Sequence, residues 1–193
     1  VVLNVTGTDA DAGYVTVWPC DQERPNASNL NLTADGARPN LVVVKPSSYG
    51  TVCLYTEQGA DLIADIVGYY PSTAPVTVTQ PTRVLDTRPG SPIGSSGERP
   101  AAGSVIRATV VGPGLAPTGT RYAFVNLTAA AADGGYLTVF PCDVGVPNAS
   151  NLNVPAGDTR PNLVLAEVVG GDICIFTERA TDVLVDLDGW LNR

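Results

Sequence analysis

Pro25-Asn26-Ala27-Ser28-Asn29-Leu30-Asn31 returns as Pro147-Asn148-Ala149-Ser150-Asn151-Leu152-Asn153, 122 positions later. The match extends outward at the same offset. Gly13-Tyr14-Val15-Thr16-Val17-Trp18-Pro19-Cys20 precedes the first copy, and Gly135-Tyr136-Leu137-Thr138-Val139-Phe140-Pro141-Cys142 precedes the second. Arg38-Pro39-Asn40-Leu41-Val42 and Arg160-Pro161-Asn162-Leu163-Val164 follow them. Further on the offset falls to 121, because the second copy is one residue shorter before its second cysteine. A period this long defines a repeated unit, and the fold is read unit by unit.

Within one unit the hydrophobic pattern is that of strands. Val1 to Thr6 alternates towards its end, and Tyr14 to Trp18 sets Val15 and Val17 against Tyr14, Thr16 and Trp18. Ser28 to Leu32 alternates again, and Asp35-Gly36 marks a turn. Leu41 to Val44 is continuously apolar, as in a strand covered on both faces. Val52 to Tyr55 and Leu62 to Tyr70 complete six strands, with Leu62, Ala64 and Ile66 on one face of the last. No stretch has a helical period, and Gly, Pro, Asn and Asp separate the runs. The fold class expected is all-β: two tandem antiparallel β-sandwich units, jelly-roll-like. The first spans 1–70, a Thr/Pro-rich linker 71–80, and the second 81–193.

Residues 81–111 have no partner in the first copy. They supply two further strands, Arg83 to Arg88 and Val105 to Val111. The second unit thus has about eight strands, while the first lacks its two N-terminal ones. A sandwich short of two strands leaves unpaired backbone and bare core that something must cover. Chain preceding Val1, the 81–111 segment folding back, or a neighbour's strands would each serve. The last would join identical chains head-to-tail by strand complementation.

Composition narrows the functional classes. Formal net charge is −8, and Lys45 is the only lysine against ten arginines. No basic stripe is available for nucleic acid, and no apolar run reaches the roughly 20 residues of a membrane-spanning helix. The chain has neither Met nor His, as in a processed product or fragment, and imidazole catalysis is excluded. The four cysteines allow three pairings. The repeat favours Cys20 with Cys53 and Cys142 with Cys174, one bridge per copy. Without His or a Cys-x-x-Cys no zinc site is expected, and structural disulfides point to an extracellular setting.

A family likeness is carried by Arg83-Val84-Leu85-Asp86-Thr87-Arg88-Pro89-Gly90, Val125-Asn126-Leu127-Thr128, the Tyr136 and Pro147 stretches quoted above, and Asp186-Leu187-Asp188-Gly189-Trp190-Leu191. Together they resemble a repeat of secreted and cell-surface proteins of actinobacteria and related high-GC bacteria, found in tandem or appended to hydrolases. The resemblance implies an extracellular β-rich accessory module. It implies no catalytic residues and no cofactor.

Three groups of residues have the makings of chemistry. Asp86-Thr87-Arg88 lacks the glycine and the second carboxylate of an aspartic protease, so Asp86 reads as a salt-bridged strand residue. Asp9, Asp11 and Gly13 have the spacing of half a calcium loop, but Ala131 replaces Asp9 in the second copy. The Asn cluster is the strongest. Asn29, Asn31, Arg38 and Asn40, with Trp18, and their partners Asn151, Asn153, Arg160 and Asn162 offer amides and guanidinium groups for a glycan. The plainer reading is that these amides bond to loop backbone and fix long connections. The function expected is a non-enzymatic, extracellular structural or adhesive repeat. Its partners would be identical chains or a cell-wall or surface polysaccharide. The alternative is a carbohydrate-binding accessory module of a secreted hydrolase.

Overall fold

The computed structural model describes residues 1–34 and 36–192, with Val67 by its backbone alone; Asp35 of the expected turn lies outside the described residues. The first body holds β1 (Val2–Thr8), β2 (Gly13–Pro19), β3 (Leu30–Leu32), β4 (Arg38–Val43), β5 (Val52–Thr56) and β6 (Asp61–Gly68). The second holds β7 (Val76–Asp86), β8 (Ser104–Thr109), β9 (Tyr122–Ala130), β10 (Tyr136–Phe140), β11 (Leu152–Asn153), β12 (Arg160–Glu167), β13 (Asp172–Thr177) and β14 (Asp182–Leu191). All described pairings between strands are antiparallel. The chain is all-β, with four sheets arranged as two sandwich units.

In the first body the sheets run β4-β1-β6 and β3-β2-β5. In the second they run β12-β9-β14-β7 and β11-β10-β13-β8. The second body is therefore the first with one strand added to each sheet: β7 beside β14, and β8 beside β13. The two strands expected to be missing from the first body are missing at these places.

Alternation explains the cores. Leu3, Val5, Val15, Val17, Leu30, Leu32 and Val42 close the first, and Val125, Leu127, Leu137, Ile173, Ile175, Val183 and Val185 the second. Pro39 and Pro161 sit inside β4 and β12, and both strands lie at sheet edges, where a missing N–H is tolerated. Gly13 and Gly135 open β2 and β10 with φ of +91° and +87°, a backbone that only glycine adopts readily. Each body is stapled once, Cys20 to Cys53 and Cys142 to Cys174, over separations of 33 and 32 residues. Closing a loop of that length contributes about 3.7 kcal/mol by the chain-entropy relation.

One boundary differs from expectation. The 71–80 connector is shorter, because Val76, Thr77 and Val78 pair with Leu191, Trp190 and Gly189. The β-branched run that reads as a semi-rigid linker is instead the first half of β7, whose backbone finds partners along β14. A Cβ at Gly189 would run into the Thr77 carbonyl oxygen, so the close approach depends on that glycine. The Leu41–Val44 run is covered on both faces at Val42 and Val43, 1% and 5% exposed, and is open at Leu41, 43% exposed.

Candidate functional site at the inter-repeat seam and the open flank

The two bodies meet where the Asn motifs lie. Asn40, on edge strand β4, is buried. Its Nδ2 donates to the Asn29 carbonyl (2.6 Å) and to Asn126 Oδ1 (3.0 Å), and its Oδ1 accepts from the Leu163 N–H (3.1 Å). Asn126, on β9, donates in turn to the Ser28 carbonyl at 2.7 Å. Arg38 and Arg160 both reach Asp158 Oδ2, at 2.9 and 2.8 Å. Burial pushes the Asp158 carboxyl up, but the two guanidinium groups and the Thr159 N–H outweigh it and hold it below its ordinary value.

The Asn side chains thus have structural work in both copies. Asn29 Oδ1 accepts from Val17 N–H and Asn151 Oδ1 from Val139 N–H, both at 2.7 Å. Asn40 and Asn162 each donate to the carbonyl of the asparagine eleven positions earlier, at 2.6 and 2.7 Å. Thr16 and Thr138 bind the Ala27 and Ala149 carbonyls. These bonds tie the long loop after β2 and β10 to its own sheet, as the plainer reading expected. Asn31 and Asn153 bond only to Ser28 and Ser150.

Six of the nine residues proposed for a glycan do line one cleft. Asn31, Arg38, Asn151, Asn153, Arg160 and Asn162, with Pro39 and Pro161, surround about 440 Å³ between the bodies. The aromatic platform is elsewhere. Trp18 is not among the residues lining the cleft, and its Nε1 donates to the Gln22 carbonyl at 3.0 Å. Tyr14 pairs with Tyr55, and Tyr136 with Phe176, each with ring centroids 5.9 Å apart. Asn29 and Asn40 are buried behind the cleft wall.

The Arg83-to-Arg88 motif locks β7 onto β14. Arg83 binds Asp186 through Nε–Oδ1 (2.6 Å) and NH2–Oδ2 (3.2 Å), and Asp86 through NH1 at 2.9 Å. Arg88 binds Asp86 from the other side at 2.6 Å. Burial raises the Asp86 carboxyl, yet Arg88 and Arg83 together bring it below its ordinary value. Thr87 Oγ1 donates to Asp182 at 3.0 Å and accepts from the Val183 N–H at 2.9 Å. The salt-bridged reading of Asp86 stands on these contacts.

Asp188 carries no such lock. Both carboxylate oxygens are buried and without a hydrogen-bond partner among the described residues. Burial, then the neighbouring Asp186, pushes its pKa well above the ordinary value, so the carboxyl keeps its proton to higher pH. Asp182 thus meets a threonine, Asp186 an arginine, and Asp188 no partner among the described residues. Among the described residues no three His, Cys, Asp or Glu side chains gather to hold a metal ion.

The open flank of the first body shows what β7 and β8 cover in the second. Leu187 is 1% exposed and its repeat counterpart Ile66 is 73% exposed. Both face their cores, opposite Val125 and Leu3. Ile173 and Ile175 are fully buried under β8, whereas Val52 and Leu54 are only partly buried. Trp190 packs on its core beside β7, while its counterpart Tyr69 is 76% exposed. Asp65 and Asp61 stand where Asp186 and Asp182 take Arg83 and Thr87.

No family model, curated protein or solved structure matches this chain.

Proposed function

We propose that the chain is a non-enzymatic, extracellular structural module of a surface repeat protein, in which repeat bodies are completed by strand addition. The observation that carries the reading is the first body's bare flank. Its core-facing Ile66 is in water, and one edge of each sheet, on β5 and β6, is unpaired among the described strands. Exposed apolar surface beside open strand edges is a template for further strands. The two intramolecular disulfides suit an oxidising compartment, and the resemblance to secreted high-GC bacterial repeats points the same way.

The test is hydrogen exchange with and without an added polypeptide of the 76–111 sequence. Amides of β5 and β6 should exchange fast in the chain alone and slow when the strand pair is present. Full protection of both strands in a monomeric chain would refute completion by addition, and turnover of a polysaccharide or peptide would refute the non-enzymatic reading.

A second reading is supported by the inter-repeat cleft: a carbohydrate ligand held by Asn31, Asn153, Asn162 and Arg160. Glycan-array binding lost in Asn153→Ala and Arg160→Ala would favour it. Binding unchanged in both variants would remove it.

A further inference from the structure

The seam between the bodies is heterologous. The first body offers one surface, the loop after β2 together with β4. The second offers a different one, the outer face of sheet β12-β9-β14-β7. Because the bodies are repeats, each surface exists twice, and among the described residues the second copy of each has no body docked on it. We propose that a second molecule of this chain docks there, repeating the seam from one molecule to the next around the cleft that Asn31, Arg38 and Pro39 share with Asn153, Arg160 and Pro161. The proposal rests on the structural-module reading and names the partner as the chain itself.

Residue identities match across the repeat. Asn40, which bonds Asn126 and Leu163 across the seam, has the counterpart Asn162. Asn126 has Asn4, Leu163 has Leu41, and Ser28, whose carbonyl takes Asn126 Nδ2, has Ser150. Every group forming the Asn40–Asn126 lock thus recurs in the other copy of the repeat. Asn162 in one molecule would donate to Asn4 of the next and accept from its Leu41 N–H. Asn4 would donate to the Ser150 carbonyl.

Burial tells the same story. Asn40 and Asn126 are 5% and 1% exposed, while Asn162 and Asn4 are only half-buried. Ala27 is buried against the second body and Ala149 is exposed. Leu184, under the first body, is 6% exposed; its counterpart Ile63 is 51% exposed. The hollows correspond too. Tyr14, Asn26, Ala27, Ser28 and Asn31 face Thr128 and Leu184 around about 260 Å³. Tyr136, Asn148, Ala149, Ser150 and Asn153 line about 270 Å³ with nothing opposite. The second hollow is half of the first, waiting for its other wall.

The contact between molecules is weaker than the seam within one. Gly36 stands where Asp158 receives Arg38. The first body also has no β7 to supply the Gln80 amide that reaches Gln22 at 2.5 Å. Association is therefore concentration-dependent. A heterologous contact adds molecules until its rotation closes a ring, and propagates where it does not.

Sedimentation over a concentration series tests this with two exposed-site variants. Ala149→Arg blocks one end and Ile63→Arg the other, and circular dichroism checks that both remain folded. The wild type should associate as concentration rises, each variant alone should stay monomeric, and an equimolar mixture of the two should stop at a dimer held by one seam. Asn162→Ala should weaken growth about tenfold or more, from the loss of two bonds. A wild type that stays monomeric to its solubility limit overturns the proposal. So does a wild-type dimer that plateaus and is lost with Ile63→Arg but kept with Ala149→Arg, since the open sides would then be pairing with each other. Neither result touches the module reading, which is judged by exchange on β5 and β6 when strands are added.

Discussion

Asn40→Ala separates the seam from the fold of one repeat, because Asn162→Ala supplies its internal control. Both side chains hold their own loop through one bond to the carbonyl of Asn29 or Asn151. Asn40 alone also bonds Asn126 Oδ1 and the Leu163 N–H in the other body. Each buried hydrogen bond contributes about 1 kcal/mol net, so Asn40→Ala should cost about 3 kcal/mol and Asn162→Ala about 1. The difference, about 2 kcal/mol, belongs to the seam. Trp18 lies in the first body and Trp190 in the second, so single-tryptophan variants follow the two bodies separately. In urea, with an m-value of about 1.5 kcal/mol/M, the Trp18 midpoint should fall by about 2 M in Asn40→Ala. The Trp190 midpoint should fall by well under 1 M in Asn162→Ala, by the same relation. Equal shifts in the two variants would refute the reasoning, because the cross-seam bonds would then contribute nothing.

Asp188→Val replaces an unpartnered buried carboxyl by the residue found at the matching place, Val67. Its folded pKa is raised, so its unfavourable contribution is absent below the ordinary carboxylate value and grows by about 1.4 kcal/mol per pH unit above it, until the folded carboxyl ionises. The wild type should therefore lose stability from pH 5 to pH 8, and Asp188→Val should be the more stable at pH 8 with a flatter profile, read from Tm. Asp86 and Asp158 act oppositely: their depressed pKa values give stability that is complete above the ordinary value and lost as pH falls through the folded one. Leu187→Ala should cost about 3 kcal/mol, as a buried leucine truncated in a packed core, and Ile66→Ala well under about 1, by denaturant unfolding. Replacing Cys20 and Cys53 together by serine should cost the first body about 3–4 kcal/mol and unfold it well before the second, seen as a split in the Trp18 and Trp190 transitions.

The all-β class was legible because period-two alternation and β-branched runs survive in both copies. The disulfide pairing was legible because each copy carries its own two cysteines. Val76-Thr77-Val78 misled as linker because a strand's membership depends on whether a partner's backbone is adjacent, and that partner, β14, lies over 100 residues away. That the Asn side chains fix loop backbone was the plainer reading of the sequence, but which backbone groups they bind was not legible. An Asn-x-Asn pattern has the same composition whether its amides face solvent or bind Val17 and Val139 N–H groups. Asn126 was missed altogether, since nothing in Val-Asn-Leu-Thr marks one asparagine as a cross-body contact. The comparison that finds it is structural: Asn126 is buried where Asn4, its counterpart, is not.

The same repeat that makes each body also decides what can assemble. Consider exchange of β7 and β8 between identical molecules. Each chain holds one such pair and two bodies, so a swap that fills one flank empties another and leaves the number of open flanks unchanged. Strand exchange among identical chains therefore gives no net gain in buried core, and a strand pair from an additional repeat is what would fill the first body. Docking through a copy of the seam has no such constraint, because it uses the second copy of each seam surface, which every chain carries. The two modes also differ in what they require of the chain. Completion needs Asp65 and Asp61 to meet an arginine and a threonine, as Asp186 and Asp182 do. Docking needs Asn162 and Asn4, with Asp65 playing no part in the Asn lock. Asp65→Asn should thus weaken capture of an added 76–111 strand pair while leaving growth in sedimentation unchanged, and a variant that lost both together would show that the flank and the seam are one surface rather than two.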